Sequence, residues 1–404
     1  MRAIADFAPR SPAFAADPYP VYERLRDEAP VHYYAPSNQW LVPRHADVDA
    51  MLRDRRLGRT YLHRYTHEEF GRTPSPAWHE PFSTLNDFGL LDLEPPAHTR
   101  VRRLVSSAFT PRRSEALRPA VRRVAERLAG DFAAKGGGDL IAEFAEPLPV
   151  EVIAELLAIP PADRHLLRPW SAAIVGMYEI NPTDGAAERA VRASAEFSAY
   201  LRDLVAERRK RPGDDLVSGL IAAHDAEGRL SEQEMISTCA LLLNAGHEAT
   251  AHLTGNGWLA LLHNRDQLEL LRSRADAVPP EAVEELLRYD TPLHLFERWV
   301  LEDIELYGIR IPRGSELAML LGSANRDPAV FADPDRLDLT RTVNPHVSFS
   351  SGIHFCFGAP LARIEIAESF GALLRAAPRL ELAEEPVRRP NFVIRGLERL
   401  MLRV

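Results

Sequence analysis

The chain has 404 residues, 46% of them hydrophobic, which is enough apolar material for a large packed core. Its formal net charge of −9 argues against a general nucleic-acid binder, which would carry a basic surplus. Two cysteines cannot staple a chain of this size, and no stretch has the pattern of a signal peptide or a membrane span, so we expect a cytoplasmic protein without membrane attachment.

The hydrophobic periodicity predicts a mainly α-helical chain with small β-sheets. Composition does not change abruptly along the chain, so we expect a single domain over residues 1–404. In chain order the predicted elements are strands at 31–34 and 40–42, helices within 97–290, one of them at 114–135, strands at 304–311 and 317–321, a helix at 360–374 and a strand at 397–404.

The clearest predicted helix begins after Ser231 and runs to His263. Ser231 and Glu234 form a capping box, in which each side chain accepts a hydrogen bond from the other residue's backbone N–H. A helix of this length would extend about 50 Å at 1.5 Å per residue. Its middle carries polar residues among apolar ones, an arrangement that costs energy unless the polar groups are partnered or used.

A second informative segment surrounds Cys356. The cysteine stands in a loop bracketed by Gly352 and Gly358, just before a predicted helix, with phenylalanines around it. A helix N-terminus offers unpaired N–H groups and a positive dipole end, both of which stabilise a thiolate. A thiolate in an apolar setting that faces N–H donors suits an iron ligand.

This loop has the pattern Phe349-x-x-Gly352-x-His354-x-Cys356-x-Gly358, and with it the sequence resembles the cytochrome P450 family. The resemblance implies the cytochrome P450 fold, with the long central helix passing over a haem. It also implies that the cofactor is haem b and that the Cys356 thiolate ligates the iron.

Further segments carry the same resemblance. Glu285 and Arg288, three residues apart on one helix face, match a buried ion pair of the family, for which Arg336 is the implied third charge. Four positions match those that hold the haem propionates in the family: His98, Arg102, Arg298 and His354.

The central helix matches the family pattern Ala-Gly-x-Asp/Glu-Thr at Ala245, Gly246 and Glu248, but departs from it at the next position. Ala249 stands where the threonine is expected, and the hydroxyl comes one residue later, at Thr250. One residue turns about 100° around a helix, so Thr250 need not face the same groove. The resemblance assigns proton delivery to this segment, and the departure leaves three routes open: through Thr250, through Asn244 and water, or through a substrate hydroxyl.

By resemblance, the activity is that of a haem-thiolate monooxygenase that inserts one atom of O2 into a mainly hydrophobic organic molecule. Electrons would come from a ferredoxin or a flavodoxin-type protein, and Arg100, Arg103, Arg112 and Arg113 would form a basic patch for an acidic donor. We expect a monomer. The predicted substrate contacts are Leu242, Leu293, Leu295, Phe296 and Ile394.

Other functions agree less well with the sequence. A zinc hydrolase is rejected because the histidine that His247-Glu248 would require at position 251 is an alanine. A cysteine hydrolase is disfavoured because His354 is only two residues from Cys356 in a tight loop. A non-catalytic haem sensor and a peroxide-dependent haem-thiolate enzyme stay open as alternatives.

Overall fold

A computed structural model describes residues 7–108, 110–180, 182–213, 215–227 and 230–404. The chain forms two compact units. The first unit comprises Met1–Leu57, Arg118–Leu148 and Ala249–Val404, and the second comprises Gly58–Leu117 and Pro149–Glu248. The single domain expected from the sequence therefore stays a prediction.

Helices dominate the described chain, as predicted. The α-helices are α1 Pro12–Ala16, α2 Tyr19–Glu28, α3 His45–Arg53, α4 Glu80–Asp87, α5 Ala97–Ala108, α6 Pro111–Ala134, α7 Pro147–Leu156, α8 Leu167–Val175, α9 Ala186–Lys210, α10 Leu216–Glu227, α11 Glu232–His263, α12 Arg265–Arg272, α13 Pro280–Tyr289, α14 Leu321–Ala324 and α15 Ala359–Ala376.

The strands are short. They are β1 His32–Tyr34, β2 Gln39–Val42, β3 Leu57–Gly58, β4 Gly137–Asp139, β5 Leu295–Val300, β6 Ile304–Leu306, β7 Ile309–Ile311, β8 Glu316–Leu320, β9 Glu381–Leu382, β10 Val387–Arg388, β11 Leu397–Arg399 and β12 Met401–Arg403. Single helical turns of other types lie at Ala77–His79, Ile141–Ala145, Pro161–Leu166, Gly176–Tyr178 and Gly352–His354.

The main sheet belongs to the first unit and has the strand order β1-β2-β8-β5-β3. β8 lies parallel to β2 and antiparallel to β5, with Leu317 opposite both Trp40 and Arg298. Fully buried aliphatic side chains such as Val42 and Met319 join those of α3 in one hydrophobic cluster. This cluster holds β5, and with it Arg298, in a fixed position.

Two predicted strands are wrong. The strand expected at 397–404 is interrupted at Leu400 and forms β11 and β12, which belong to different sheets. The single strand expected at 304–311 is a hairpin, in which β6 pairs with β7 in antiparallel register. The chain reverses at Tyr307 and Gly308, which both have positive φ angles, of 52° and 74°. Two consecutive residues of this kind make the tight turn that matches the twist of a hairpin, and only Gly308 signals it in the sequence.

In the second unit, α8 and α9 pack against each other. Trp170 of α8 stacks on Phe197 of α9, with ring centroids 5.1 Å apart, and the Trp170 indole N–H donates to Glu196 at 3.0 Å. The buried ring therefore has both an apolar contact and a partner for its polar edge. This pairing fixes the position of α8 and of Tyr178, which follows it.

The central helix α11 begins and ends where the sequence predicts. The Ser231 N–H donates to Glu234 at 2.8 Å and the Glu234 N–H donates to the Ser231 hydroxyl at 3.1 Å, so the capping box is confirmed. Glu234 also pairs with Arg100, whose guanidinium is therefore engaged within the second unit. Among the described residues, no helix combines the length and hydropathy that crossing a bilayer requires.

Candidate functional site

The Cys356 loop is held by its own backbone. The Cys356 N–H donates to the Phe349 carbonyl at 2.8 Å, and the helix α15 begins three residues later. A Cβ on Gly352, whose φ is +69°, would lie 2.7 Å from the Leu52 carbonyl oxygen, so only glycine fits there. A Cβ on Gly358 would lie 3.9 Å from the Cys356 sulfur, which shows that the Gly358 backbone runs beside the thiol.

The side chains around Cys356 give it a partly apolar, partly cationic setting. Cys356 is half-buried, and Phe355 and Ile353 expose 41% and 48% of their surfaces. The Arg363 guanidinium lies over the Phe349 ring, 4.6 Å from its centroid. The hydrogen bond to Glu284 raises the pKa of Arg363, and the charge of Cys356 adds to that shift, so Arg363 is a cation within electrostatic reach of the sulfur.

Arg363 is itself fixed by Glu284. The Arg363 guanidinium donates to both Glu284 oxygens, at 2.6 and 2.8 Å, and His346 lies 3.0 Å from the same carboxylate. Burial opposes ionisation of Glu284, but the hydrogen bonds from Arg363 and His346 lower its pKa to about 2. None of these three residues is singled out by the sequence, in which the one signal is that Arg363 stands one turn into α15.

The predicted ion pair between Glu285 and Arg288 forms within α13. Both side chains are fully buried and are joined by two hydrogen bonds of 2.8 Å. Arg288 also donates to the carbonyls of Asn325, Pro334 and Arg336. The pair therefore holds the segment that leads to the Cys356 loop, in keeping with an architectural role.

The third charge of this network needs correction. Arg341, not the guanidinium of Arg336, binds Glu285, with Nε 3.1 Å from the carboxylate and the side chain only 11% exposed. Arg336 is exposed and takes part only through its backbone carbonyl. The chain turns at Asp333, which has a φ of 46°, and needs five more residues after Arg336 to bring a guanidinium to Glu285.

The four expected propionate ligands are divided between the two units. Arg298 and His354 lie in the first unit and are 3% and 8% exposed, and Arg298 donates to the Glu297 carbonyl at 2.9 Å with its guanidinium over the Phe296 ring. His98 and Arg102 lie one turn apart on α5 in the second unit, with His98 2% exposed. Buried cationic or donor side chains of this kind suit the carboxylates of a cofactor.

The central helix leaves one face uncovered. Ala245 is exposed and Leu242, Gly246 and Ala249 are half-buried, whereas the residues between them are buried. At 100° per residue these positions lie within one face of the helix. Gly246 has a packing reason of its own, since a Cβ there would lie 3.1 Å from the Ile153 side chain.

The acidic residue of this helix has a histidine beside it. The Glu248 carboxylate lies 3.8 Å from His247 Nδ1, and His247 Nδ1 lies 3.2 Å from the hydroxyl of Ser171 on α8. All three side chains are buried. Thr250 is buried as well, and its carbonyl accepts the hydroxyl of Thr254 at 2.9 Å.

The predicted substrate contacts differ in accessibility. Leu242, Leu293, Phe296 and Ile394 are half-buried, and Leu293 pairs with Ile394 across a β-bridge. Leu295 is 1% exposed and packs inside the main sheet, so it offers no surface to a ligand. A separate small cavity lies in the second unit and is lined by Leu85, Asn86, Gly89, Leu91, Asp92, Tyr178, Ser237, Ala240, Leu241 and Asn244.

Comparison with known proteins agrees with this geometry. The family model described as Cytochrome P450 matches residues 173–377. Over 404 aligned residues the chain is 38% identical to the polyketide biosynthesis cytochrome P450 PksS of Bacillus subtilis, covering 98% of this chain and 97% of the relative. The chain belongs to the cytochrome P450 family.

Two further relatives support the same assignment. The cytochrome P450 monooxygenase PikC of Streptomyces venezuelae is 39% identical over 410 residues, covering 99% of this chain and 94% of the relative. The crystal structure of P450BioI in complex with a hexadec-9Z-enoic acid ligated acyl carrier protein superposes with a TM-score of 0.89 at 34% identity, covering 98% of this chain and all of that one. The chain is thus a cytochrome P450 monooxygenase, a haem-thiolate enzyme that oxygenates organic substrates.

The residues fit the haem that this family carries. A half-buried thiol stands at the start of an 18-residue helix beside a fixed arginine, and the exposed apolar side chains of Ile353 and Phe355 precede it in the loop. These features suit a large flat apolar cofactor with an iron at its centre and two carboxylates at its edge.

Proposed function

We propose that Cys356 is the iron ligand and that the cofactor is haem b. The observation that supports this most strongly is the position of Cys356 at the N-terminus of α15, where helix N–H groups and the nearby Arg363 favour a thiolate. The bound haem supplies an iron at which dioxygen is reduced and activated. The thiolate and the nearby Arg363 would set how readily that iron gives and accepts electrons.

The carbon monoxide difference spectrum of the reduced protein tests this ligation. We expect the wild type to give the long-wavelength Soret band of a haem-thiolate, and Cys356→Ala and Cys356→His to lose it. Cys239→Ala is the matched control, because burial raises the pKa of the Cys239 thiol to about 12 and keeps it protonated. A long-wavelength band in either Cys356 variant would refute the assignment.

The propionates would be held by Arg298 and His354 of the first unit and by His98 and Arg102 of the second. The support is chemical: these are cationic or N–H donor groups, and three of them are buried. Burial strengthens a charge-assisted hydrogen bond to a carboxylate. Replacing Arg298 by Leu is expected to lower haem occupancy, measured as the ratio of Soret to protein absorbance, and unchanged occupancy would count against this role.

Proton delivery is assigned to Glu248. A buried carboxylate can donate and recover a proton, and His247 lies close enough to orient it and to influence its charge. Ala249 has no hydroxyl, so the buried Thr250 is the nearest one on the helix. We expect Glu248→Gln to lower the product formed per electron consumed by about tenfold or more. Thr250→Val distinguishes the three routes. If this variant forms as much product per electron as the wild type, the proton comes either through Asn244 and a water molecule or from the substrate.

The substrate is proposed to be a mainly hydrophobic organic molecule that contacts Leu242, Leu293, Phe296 and Ile394. These side chains are apolar and partly accessible. The relatives point the same way: PksS is named for polyketide biosynthesis, and P450BioI binds an acyl carrier protein that bears hexadec-9Z-enoic acid. Spin-state titration with apolar libraries is the direct test, and a preference for small polar molecules would contradict the proposal.

The electron donor is proposed to be an acidic ferredoxin or flavodoxin. Arg103, Arg112 and Arg113 are exposed in the second unit and offer a basic surface, whereas Arg100 is paired with Glu234. Attraction between such surfaces weakens as salt screens it. Reductase-driven turnover is therefore expected to fall as ionic strength rises, while turnover supported by peroxide does not; equal salt dependence would argue against this surface.

A further inference from the structure

Three polar side chains of the second unit form a hydrogen-bonded chain beside the small cavity. The Tyr178 hydroxyl donates to Asn86 Oδ1 at 2.8 Å, and Asn86 Nδ2 in turn donates to the Phe82 carbonyl at 2.7 Å. Asn244, on the central helix, lines the cavity together with Tyr178 and lies close enough to influence the pKa of its hydroxyl. Because that hydroxyl donates to Asn86, only its lone pairs are left to face the Asn244 amide N–H.

This arrangement leaves one acceptor at the end of the chain. Asn244 is 4% exposed, and its Oδ1 accepts no hydrogen bond from any residue in the part of the chain that the structure describes. A buried carbonyl oxygen without a donor destabilises a folded protein. Asn244 lines the cavity, so a donor for this oxygen can come from a molecule that enters it.

The rest of the cavity wall defines what that molecule is like. Leu85, Leu91 and Leu241 supply the apolar part of a wall whose other half consists of polar residues. The space is about what one water molecule needs, which also suits a single hydroxyl or amino group. The neighbourhood therefore fits a polar terminus on an otherwise apolar compound.

The nearby charges disfavour a carboxylate there. Asp92 also lines the cavity and is paired with Arg59 at 2.9 Å. Burial, together with the charge of Asp92, raises the pKa of the neighbouring Asp87 to about 6, which shows that a further negative charge is unfavourable in this region. A substrate acid would meet Asp92 and the Asn244 oxygen and would offer neither of them a proton.

We propose that Asn244, held by Tyr178, is a specificity-determining residue that binds a hydrogen-bond donor, a hydroxyl or amino group without negative charge, on an apolar substrate. This inference rests on the proposed function, because it assumes that the cavity receives part of the substrate of the monooxygenase. It narrows that substrate from any hydrophobic molecule to one that carries such a donor.

The test compares three probes with the same alkyl chain: 1-dodecanol, methyl dodecyl ether and dodecanoate. Affinities are measured by spin-state titration of the ferric holoenzyme. We expect the alcohol to bind about tenfold more tightly than the ether and the carboxylate, a ratio typical of one buried hydrogen bond. 1-Aminododecane, titrated in competition with the alcohol by calorimetry, tells whether an amino group serves as well as a hydroxyl.

Variants assign the preference to Asn244. Asn244→Leu, which removes the acceptor oxygen, is expected to bind alcohol and ether equally. Thr238→Val is the matched control, since Thr238 is also buried on α11 but its hydroxyl donates to the Glu234 carbonyl at 2.7 Å. Tyr178→Phe, which removes only the hydroxyl that positions Asn244, should weaken the preference without abolishing it.

Two results would overturn the proposal: a wild type that does not bind the alcohol better than the ether, including the case in which neither binds, or a preference that survives in Asn244→Leu. Each variant is first required to give the haem-thiolate band with carbon monoxide. A wild type without that band would refute the proposed function, whereas a normal band with no alcohol preference would refute this inference alone.

Discussion

Asp290 is the residue whose replacement should destabilise the first unit most clearly. Its carboxylate accepts hydrogen bonds from the Tyr19 hydroxyl at 2.8 Å, Arg395 at 2.9 Å and Arg388 at 3.1 Å, and Asp290 is 7% exposed. Arg395 in turn donates to the carbonyls of Ala15 and Ala16. One carboxylate thus neutralises one buried and one half-buried guanidinium group, of Arg395 and Arg388, and joins the two ends of the chain.

Asp290→Asn keeps the shape and removes the charge. Removing one partner of a buried ion pair leaves the other charge uncompensated, which typically costs about 3–5 kcal/mol. Asparagine retains one acceptor for Tyr19, so we expect the lower part of that range. Asp131→Asn is the matched control, because Asp131 forms an exposed pair with Arg127, and its replacement should cost about 0.5 kcal/mol or less.

The measurement is urea unfolding of both variants, followed by circular dichroism at several pH values. Burial opposes ionisation of Asp290, but Arg395 and Arg388 lower its pKa well below the usual range. The stability that Asp290 supplies is therefore present above the ordinary carboxyl pKa, about 4, and is lost as the pH falls towards the lowered pKa. A difference below about 1 kcal/mol at pH 7, or one that does not shrink in acid, would refute this account.

Three further predictions concern single side chains. Arg341→Leu should lower the free energy of unfolding in urea by about 3 kcal/mol, whereas Arg336→Leu should change it by about 0.5 kcal/mol or less. Equal effects of the two replacements would show that Arg341 is not the third charge of the ion network. Arg363→Leu should make the haem reduction potential more negative by tens of millivolts in a spectroelectrochemical titration, while the exposed Arg375→Leu on the same helix should leave it unchanged. Burial raises the pKa of Glu365 well above its usual range, so the wild type loses stability as the pH rises above the ordinary carboxyl pKa. In thermal unfolding, Glu365→Gln should therefore be more stable than the wild type by a margin that grows from pH 5 to pH 8. A margin that does not change with pH would contradict this prediction.

The sequence predicted best what depends on neighbouring residues. The capping box of α11 needs only Ser231 and Glu234, so its spacing was sufficient to predict it. The pair of Glu285 and Arg288 in α13 is just as local, but the family resemblance, and not the spacing, indicated that it is buried. The Cys356 loop is equally local, since the Phe349 carbonyl that receives its N–H is seven residues away. In each case a helix or a loop brings residues together whatever the rest of the chain does.

Contacts between distant residues could not be read in this way. Glu285 accepts from Arg341, 56 residues away, and whether Arg336 or Arg341 reaches it depends on the turn at Asp333. The Asp290 cluster is the extreme case, because its partners lie 105 and 271 residues away along the chain. The spacing of such residues along the sequence does not distinguish a buried partner from an exposed charge. Yet breaking a buried pair costs more stability than breaking an exposed one, because burial removes the water that would otherwise compensate each charge.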